Sequence, residues 1–341
     1  VVGVSGLGSY TAPMSGSMPA PGSALNAEEI ASFVGGELIG SASGPFRSVA
    51  GVESASQDEV VFFRSGPDQR GATPKPELLE AVLATSAGLL VVDAGFPETE
   101  RATVRVENPG LAAARLQQHW HGRDFPIAVG VHPAAQVDPS AQIAASASIA
   151  AGVVVGADCV IGEGVHLHPG VVVYPRVHLG DGCTIHANTV LGSPGFGYVW
   201  DGQQHQPMPQ MGGVRIGRGV EIGANSVVDA GTMEPTVIGD GCILDNFVQV
   251  GHNCTLGRAV VLCAQVGLSG STILEDGVVM GGQSGSGGHL RVGTGTQIAA
   301  RGGATADIGP GLVVSGVPAV DIRLHHRMQA ALRRLAKGRK S

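Results

Sequence analysis

Two histidines have the residue type and spacing for chemistry. His252 lies in DNFVQVGHNCTLG, residues 245–257, among small and β-branched residues. His289 closes the glycine-rich run GGQSGSGGH, residues 281–289. An imidazole, with an ordinary pKa of about 6.5, takes a proton from an attacking nucleophile near neutral pH. Glycines beside it leave room for a ligand and expose backbone N–H donors, which makes Gly270 and Gly288 candidates for holding an oxyanion. The competing reading treats His252 as one more residue tolerated on a scaffold.

The other histidines read more blandly. His166, His168, His178 and His186 fall beside inward aliphatic positions, as surface or interface residues would; His325 and His326 sit on a solvated terminal segment. Zinc held between subunits needs three convergent histidines, and no paired spacing here suggests them, so no metal is expected.

The scaffold carrying these residues is periodic. Val131, Val137, Ile143, Ile149, Val155, Ile161, Leu167, Val173, Leu179, Ile185 and Leu191 follow at a spacing of six, an aliphatic in each of eleven slots. The frame breaks at 193–213 and resumes at Ile216, Ile222 and Val228. After a slip at Thr232–Pro235 it continues from Ile238 through Met280, misses at Ser286 and recovers at Val292 and Ile298.

A period of six belongs to neither an α-helix nor an ordinary hairpin sheet. It predicts a left-handed parallel β-helix over 131–314, with three hexads per coil, inward aliphatics stacking between coils, and a loop insertion at 193–213. Eight or nine coils at a 4.8 Å strand spacing make a prism roughly 40 Å long. His252 and His289 then share a corner, two coils plus one residue apart, about 10 Å from each other. Cys159, Cys183, Cys242 and Cys254 all fall two positions before an inward aliphatic, where small residues dominate, and read as core filler.

The flanks differ. Residues 1–24 are rich in Gly, Ser and Pro and read as a disordered leader with no secretory pattern. Residues 25–122 read as a compact α/β module. A helix starts at Asn26 with Glu29 at capping-box spacing. Strands are expected at EVVFF and GLLVVD, and helices at PELLEAVLATSA and PGLAAARLQQHW. At the far end Leu324, Met328, Leu332 and Leu335 keep helical spacing within 318–341, and residues 320–341 carry seven of the 21 Lys and Arg. This predicts a basic amphipathic helix that packs on a neighbouring subunit or meets an acidic partner.

Composition narrows the class. The 54 glycines in 341 residues, with only 14% charged and 4% aromatic, suit a turn-dense repeat. A net charge of −7 argues against a nucleic-acid binder, and the longest apolar runs are too short to span a membrane. Five cysteines without CxxC pairing suit a reducing, cytoplasmic compartment.

The α/β module, the prism, GFGY (195–198), PQMGGVRIG (209–217), DNFVQVGHN (245–253), AQVGLSGS (264–271), GGHLRVG (287–293) and SGVPA (315–319) together resemble the UDP-3-O-(3-hydroxyacyl)glucosamine N-acyltransferases of lipid A biosynthesis. The resemblance covers roughly 24–336, and DN-x-VQ-x-x-HN is its most specific part. It implies a homotrimer with active sites in clefts between prisms, and a 3-hydroxyacyl thioester delivered by acyl carrier protein. The implied acceptor is the 2-amino group of a UDP-linked, O3-acylated glucosamine.

On this resemblance His252 is the catalytic histidine and His289 a second site histidine. Asp245, Asn246 and Gln249 match its substrate segment, Phe196 and Tyr198 its loop, and Phe62 the aromatic that stacks on uracil. Two departures stand out. RSGPDQR (64–70) replaces an Asn-Pro-x-Tyr stretch, and Asp229-Ala230-Gly231-Thr232 stands where Asp-Arg-Gly-Ala is frequent.

The expected mechanism has His252 as general base, with Asp245 as a candidate to orient its other nitrogen. Gly270 or Gly288 supplies an oxyanion N–H, and His289 positions the donor or polarises the carbonyl. No metal or soluble cofactor is called for, because the phosphopantetheine is carried by the acyl carrier protein. Alternatives are a UDP-N-acetylglucosamine O-acyltransferase, a sugar-nucleotide N-acetyltransferase of the same fold, and a non-catalytic β-helical scaffold.

Overall fold

The computed structural model describes residues 20–67, 73–122, 126–316 and 322–338. Contacts divide the chain into two compact units that meet between Pro126 and Ile127.

The first unit is an α/β module. Its strands are β1 (Glu37–Ile39), β2 (Ser48–Val49), β3 (Glu59–Phe63), β4 (Leu89–Val92) and β5 (Thr103–Arg105), and its helices α1 (Ala27–Val34), α2 (Pro76–Ala84) and α3 (Pro109–His121). The sheet order is β1-β5-β4-β3-β2, with β1 antiparallel to β5 and the other pairs parallel. The three short strands β1, β2 and β5 carry no strong periodic signal of their own; pairing completes them.

Asn26 caps α1 as its spacing requires: Asn26 Oδ1 accepts from the Glu29 N–H, and Glu29 Oε2 from the Asn26 N–H, both at 2.8 Å. One core gathers Leu25, Ile30, Phe46, Leu89 and Leu116, and a second gathers Val61, Phe63, Val82 and Leu90. Phe62 stays 44% exposed at the end of β3. The beginning of RSGPDQR is held by Asp93, whose carboxylate accepts from the Ser65 and Gly66 N–H groups; residues 68–72 lie outside the described residues.

Of the Gly/Ser/Pro-rich leader, residues 1–19 lie outside the described residues. The Gly22 N–H donates to His119 O, and Ser23 O accepts from Trp120 Nε1 and bonds His119 Nε2.

The second unit is a parallel β-helix. Three parallel sheets of nine, eight and ten short strands form its faces, which at three strands per coil is nine coils. At the C-terminal end the hexad frame loosens, but Gly303–Ala304 and Val313–Val314 still pair. The first face carries inward Val155, Val173, Leu191, Val228, Val250 and Leu268, and pairing registers each on the next.

Ser286 misses the aliphatic slot without leaving a bare hydroxyl: Thr272 Oγ1 lies 3.0 Å from Ser286 Oγ. The four cysteines two positions before an inward aliphatic are fully buried, and burial pushes the Cys242 and Cys254 thiols up to about 11. They are inert core groups, as their slot implies.

The frame break at 193–213 contains a hairpin, in which Tyr198–Trp200 pairs antiparallel with His205–Pro207. It leaves the coil where the first face turns into the second, between the strands Val190–Ser193 and Val214–Ile216. Beyond the prism, α4 (Ile322–Gly338) presents exposed Met328, Leu332 and Leu335 together with exposed Arg327, Arg333 and Arg334. Residues 317–321 and 339–341 at its two ends lie outside the described residues. No helix among the described residues is long and apolar enough to cross a membrane.

Candidate active site

The strand Gln249–Val250 ends the first face, and the chain turns through Gly251, His252 and Asn253 before Thr255–Leu256 opens the second. Asn253 adopts left-handed backbone, φ 59°, and the same column repeats it at Ser271 (60°) and His289 (59°). The column before it runs His252, Gly270, Gly288. His252 and His289 therefore share a corner but not a column. The exposed His289 fills a left-handed slot that Asn, Asp and His tolerate better than most residues.

The hydrogen bonds of His252 determine its tautomer. Its Nδ1 lies 3.0 Å from Asn253 Oδ1. The Asn253 amide cannot be turned round, because its Nδ2 donates to Glu234 O at 2.9 Å while Oδ1 also accepts from the Thr232 N–H at 3.0 Å. Asn253 thus offers an oxygen to the ring, Nδ1 carries the hydrogen, and Nε2 keeps its lone pair.

That nitrogen faces the next coil. A methyl group built on Gly270 would sit 2.5 Å from His252 Nε2, so only glycine leaves the ring its place. The Gly270 N–H has no acceptor among the described residues, and it lies on the wall beside the ring. Gly288 is one coil further and lines no part of the cavity.

Over this corner folds the insertion. Gly195 packs against the His252 Cβ so closely that an added methyl would lie 2.5 Å from it. The hairpin and the coil enclose a cavity of about 530 Å³, walled by Gly195, Phe196, Tyr198 and Met208 on one side and by Gln249, His252, Leu268, Ser269 and Gly270 on the other. Phe196 and Tyr198 meet edge to face with centroids 5.2 Å apart, yet Phe196 remains 85% exposed.

A carboxylate lines this cavity: Asp229, stacked in register above Gly251. Its Oδ1 accepts from Ser193 Oγ at 2.9 Å, and its Oδ2 from Gln249 Nε2 at 3.0 Å. Burial raises its pKa, against the pull of those two hydrogen bonds and of nearby His252. The signal for it in the sequence was a charged residue in a column that continues in the following coils as Gly251, Ser269 and Gly287, immediately before the register slip.

The structure separates the remaining candidates. Asp245 and Asn246 follow the strand Ile243–Leu244 of the third face and sit at the preceding corner of the coil, outside the cavity. There they hold turns. Asp245 accepts from the Asn246 and Ala264 N–H groups, and Asn246 Oδ1 from the Ala224 N–H in the adjacent coil. Asp181, Asp240 and Asp276 make the same coil-to-coil bond elsewhere. Asp245 is therefore not the residue that orients His252; Asn253 is. Phe62 belongs to the other unit. No group of three or more His, Cys, Asp or Glu suited to a metal occurs among the described residues.

Known proteins resemble this arrangement. The bacterial transferase hexapeptide family (six repeats) matches residues 158–193 and 235–270, and the hexapeptide repeat of succinyl-transferase matches 213–246. The UDP-3-O-acylglucosamine N-acyltransferase of Methylobacterium nodulans is 45% identical over 158 residues, which is 46% of this chain and 45% of that protein. UDP-3-O-acylglucosamine N-acyltransferase 1 of Sulfurimonas denitrificans is 44% identical over 150 residues, 43% of this chain and 47% of that protein. This chain resembles the UDP-3-O-acylglucosamine N-acyltransferases.

The matched segment spans about half the length of these curated relatives. Among solved structures, the UDP-N-acetylglucosamine acyltransferase of Francisella novicida superposes with a TM-score of 0.52 at 26% identity, covering 59% of this chain and 73% of that one. The UDP-N-acetylglucosamine O-acyltransferase of Moraxella catarrhalis gives 0.51 at 25%, covering 58% and 77%.

Proposed function

We propose that this protein is an N-acyltransferase of lipid A biosynthesis. It moves a 3-hydroxyacyl chain from acyl carrier protein to the 2-amino group of UDP-3-O-acylglucosamine. The observation that carries the proposal is His252, held by Asn253 as the tautomer with a free Nε2 and turned into a cavity beside an unspent N–H of Gly270.

In the proposed reaction the amine nitrogen attacks the thioester carbonyl, and Nε2 of His252 takes its proton. Gly270 N–H stabilises the oxyanion. Collapse of the intermediate breaks the C–S bond, and the imidazolium returns the proton to the leaving sulfur. No metal or soluble cofactor enters this scheme. The exposed arginines of α4 suit an acidic carrier. Five free cysteines suit the cytoplasm.

A homotrimer belongs to the same reading. Val154, Val172, Val190 and Val227 point outward along the first face and are only half-covered within one chain, which suits packing against another copy.

The O-acyltransferase reading is favoured by the solved neighbours and opposed by the stronger sequence similarity to N-acyltransferases. An assay of purified protein with acyl-carrier donor decides between them. Turnover of UDP-3-O-acylglucosamine and none of UDP-N-acetylglucosamine is expected. The reverse preference would establish the O-acyltransferase, and no transfer to either would leave a scaffold.

His252→Ala should lower transfer by about a hundredfold to ten-thousandfold without altering thermal melting. Wild-type turnover in that variant would remove His252 from the mechanism.

A further inference from the structure

Asp229 has no part in the mechanism above, yet it is the only carboxylate on the cavity wall among the described residues. Nothing in the coil requires it. Gly251, Ser269 and Gly287 occupy the same column in the following coils without a charge. Its two hydrogen bonds come from side chains that anchor the site: Ser193 at the root of the hairpin and Gln249 on the cavity wall. A carboxylate has roughly four acceptor positions, so capacity remains for a donor in the cavity. Burial works against its charge, which Asn at the same place would not carry.

We propose that Asp229 receives the amino group of the acceptor and is the residue that selects an amine over a hydroxyl. The inference rests on the N-acyltransferase reading. The ammonium form of an amino sugar is bound by a half-buried carboxylate through a charge-assisted hydrogen bond; a hydroxyl offers a neutral O–H.

The ammonium first releases one proton to solvent. The neutral amine keeps one N–H on Asp229, which aims the lone pair at the thioester carbon. The C–N bond forms, the second proton passes to Nε2 of His252, the C–S bond breaks, and that proton leaves on the thiol. The products are an amide, a free thiol and the solvent proton, so the step balances without a further reactant. Asp229 stays ionised throughout and needs no role as a base.

The test compares two acceptors: UDP-3-O-acylglucosamine, and the same molecule with a hydroxyl at C2. Binding to the full chain by calorimetry and transfer from acyl carrier protein are both measured, for wild type, Asp229→Asn and Asp229→Ser. Wild type should bind the amine more tightly than the hydroxyl analogue. Both variants should lose about tenfold to a hundredfold in amine affinity and in kcat/KM, the worth of one charge-assisted hydrogen bond, while hydroxyl binding stays the same.

Equal losses for both acceptors would overturn the proposal and make Asp229 a support for the hairpin. Unchanged amine binding would overturn it as well. Failure of wild type to transfer to the amine at all would instead overturn the N-acyltransferase reading, and this inference with it. Serine keeps the column small and uncharged like Ser269, so a poorly folding Asn variant leaves the comparison intact.

Discussion

At the scale of single residues, the site depends on which nitrogen of His252 carries hydrogen. Asn253 decides this because its amide is locked by Glu234 O on one side and Thr232 on the other. Asn253→Ala removes the anchor, so the ring can take either tautomer and turn. We expect kcat to fall by about tenfold to a hundredfold, as for a displacement of the reacting group by ~1 Å. Asn253→Asp still offers an oxygen to Nδ1 but loses the donation to Glu234 O, and should recover part of the loss. Steady-state kinetics of the two variants checks this; equal damage in both would make Asn253 only a turn residue.

The same residues show what was legible in the sequence. His252 stood out because the repeat has no use for an imidazole there. Asp245 and Asn246 stood out for the same reason and turned out to close backbone hydrogen bonds between coils. A hexad pattern reports inward side chains; it does not report which corner carboxylates bond the next coil. Asp229 drew attention only as part of a departure from the family's motif and was given no site role, because its neighbours in space, Ser193 and Gln249, are separated from it by an insertion and by a whole coil.

At the scale of elements, the corner and the hairpin make one unit of function. The six-residue period predicted the coils well, since stacking one aliphatic on the next leaves few other arrangements. It marked the interruption at 193–213 but not the hairpin inside it, which follows local turn and pairing preferences instead. The hairpin reaches His252 only because glycine stands at 195, and the ring reaches across its own corner only because glycine stands at 270.

This predicts a specific outcome for Gly270→Ala. Its backbone is not in the left-handed region, so alanine costs the coil little, but the new methyl must push Nε2 aside. Transfer should fall by about a hundredfold while circular dichroism and melting stay close to wild type. A fully active Gly270→Ala protein would show that the ring does not work from this position.

At the scale of the whole molecule, two corners must be brought together. If Asp245 and His252 both serve one substrate, as their match to the N-acyltransferases implies, a single chain places them badly. They stand at successive corners of one coil, separated by the first face, roughly 15–20 Å of extended chain. In the homotrimer proposed above, the Asp245 corner of one protomer is expected to stand against the His252 corner of the next, with the half-covered valines of the first face between them.

Mixing two inactive chains tests that arrangement. His252→Ala and Asp245→Ala, each inactive alone, are co-expressed so that trimers form at random. With composite sites, an intact His252 faces an intact Asp245 at about a quarter of the interfaces, and the mixture regains that share of wild-type activity. With sites contained in one chain, no combination is intact and the mixture stays inactive. Full activity of Asp245→Ala by itself would show that its carboxylate serves only the Asn246 and Ala264 N–H groups that it holds in the structure.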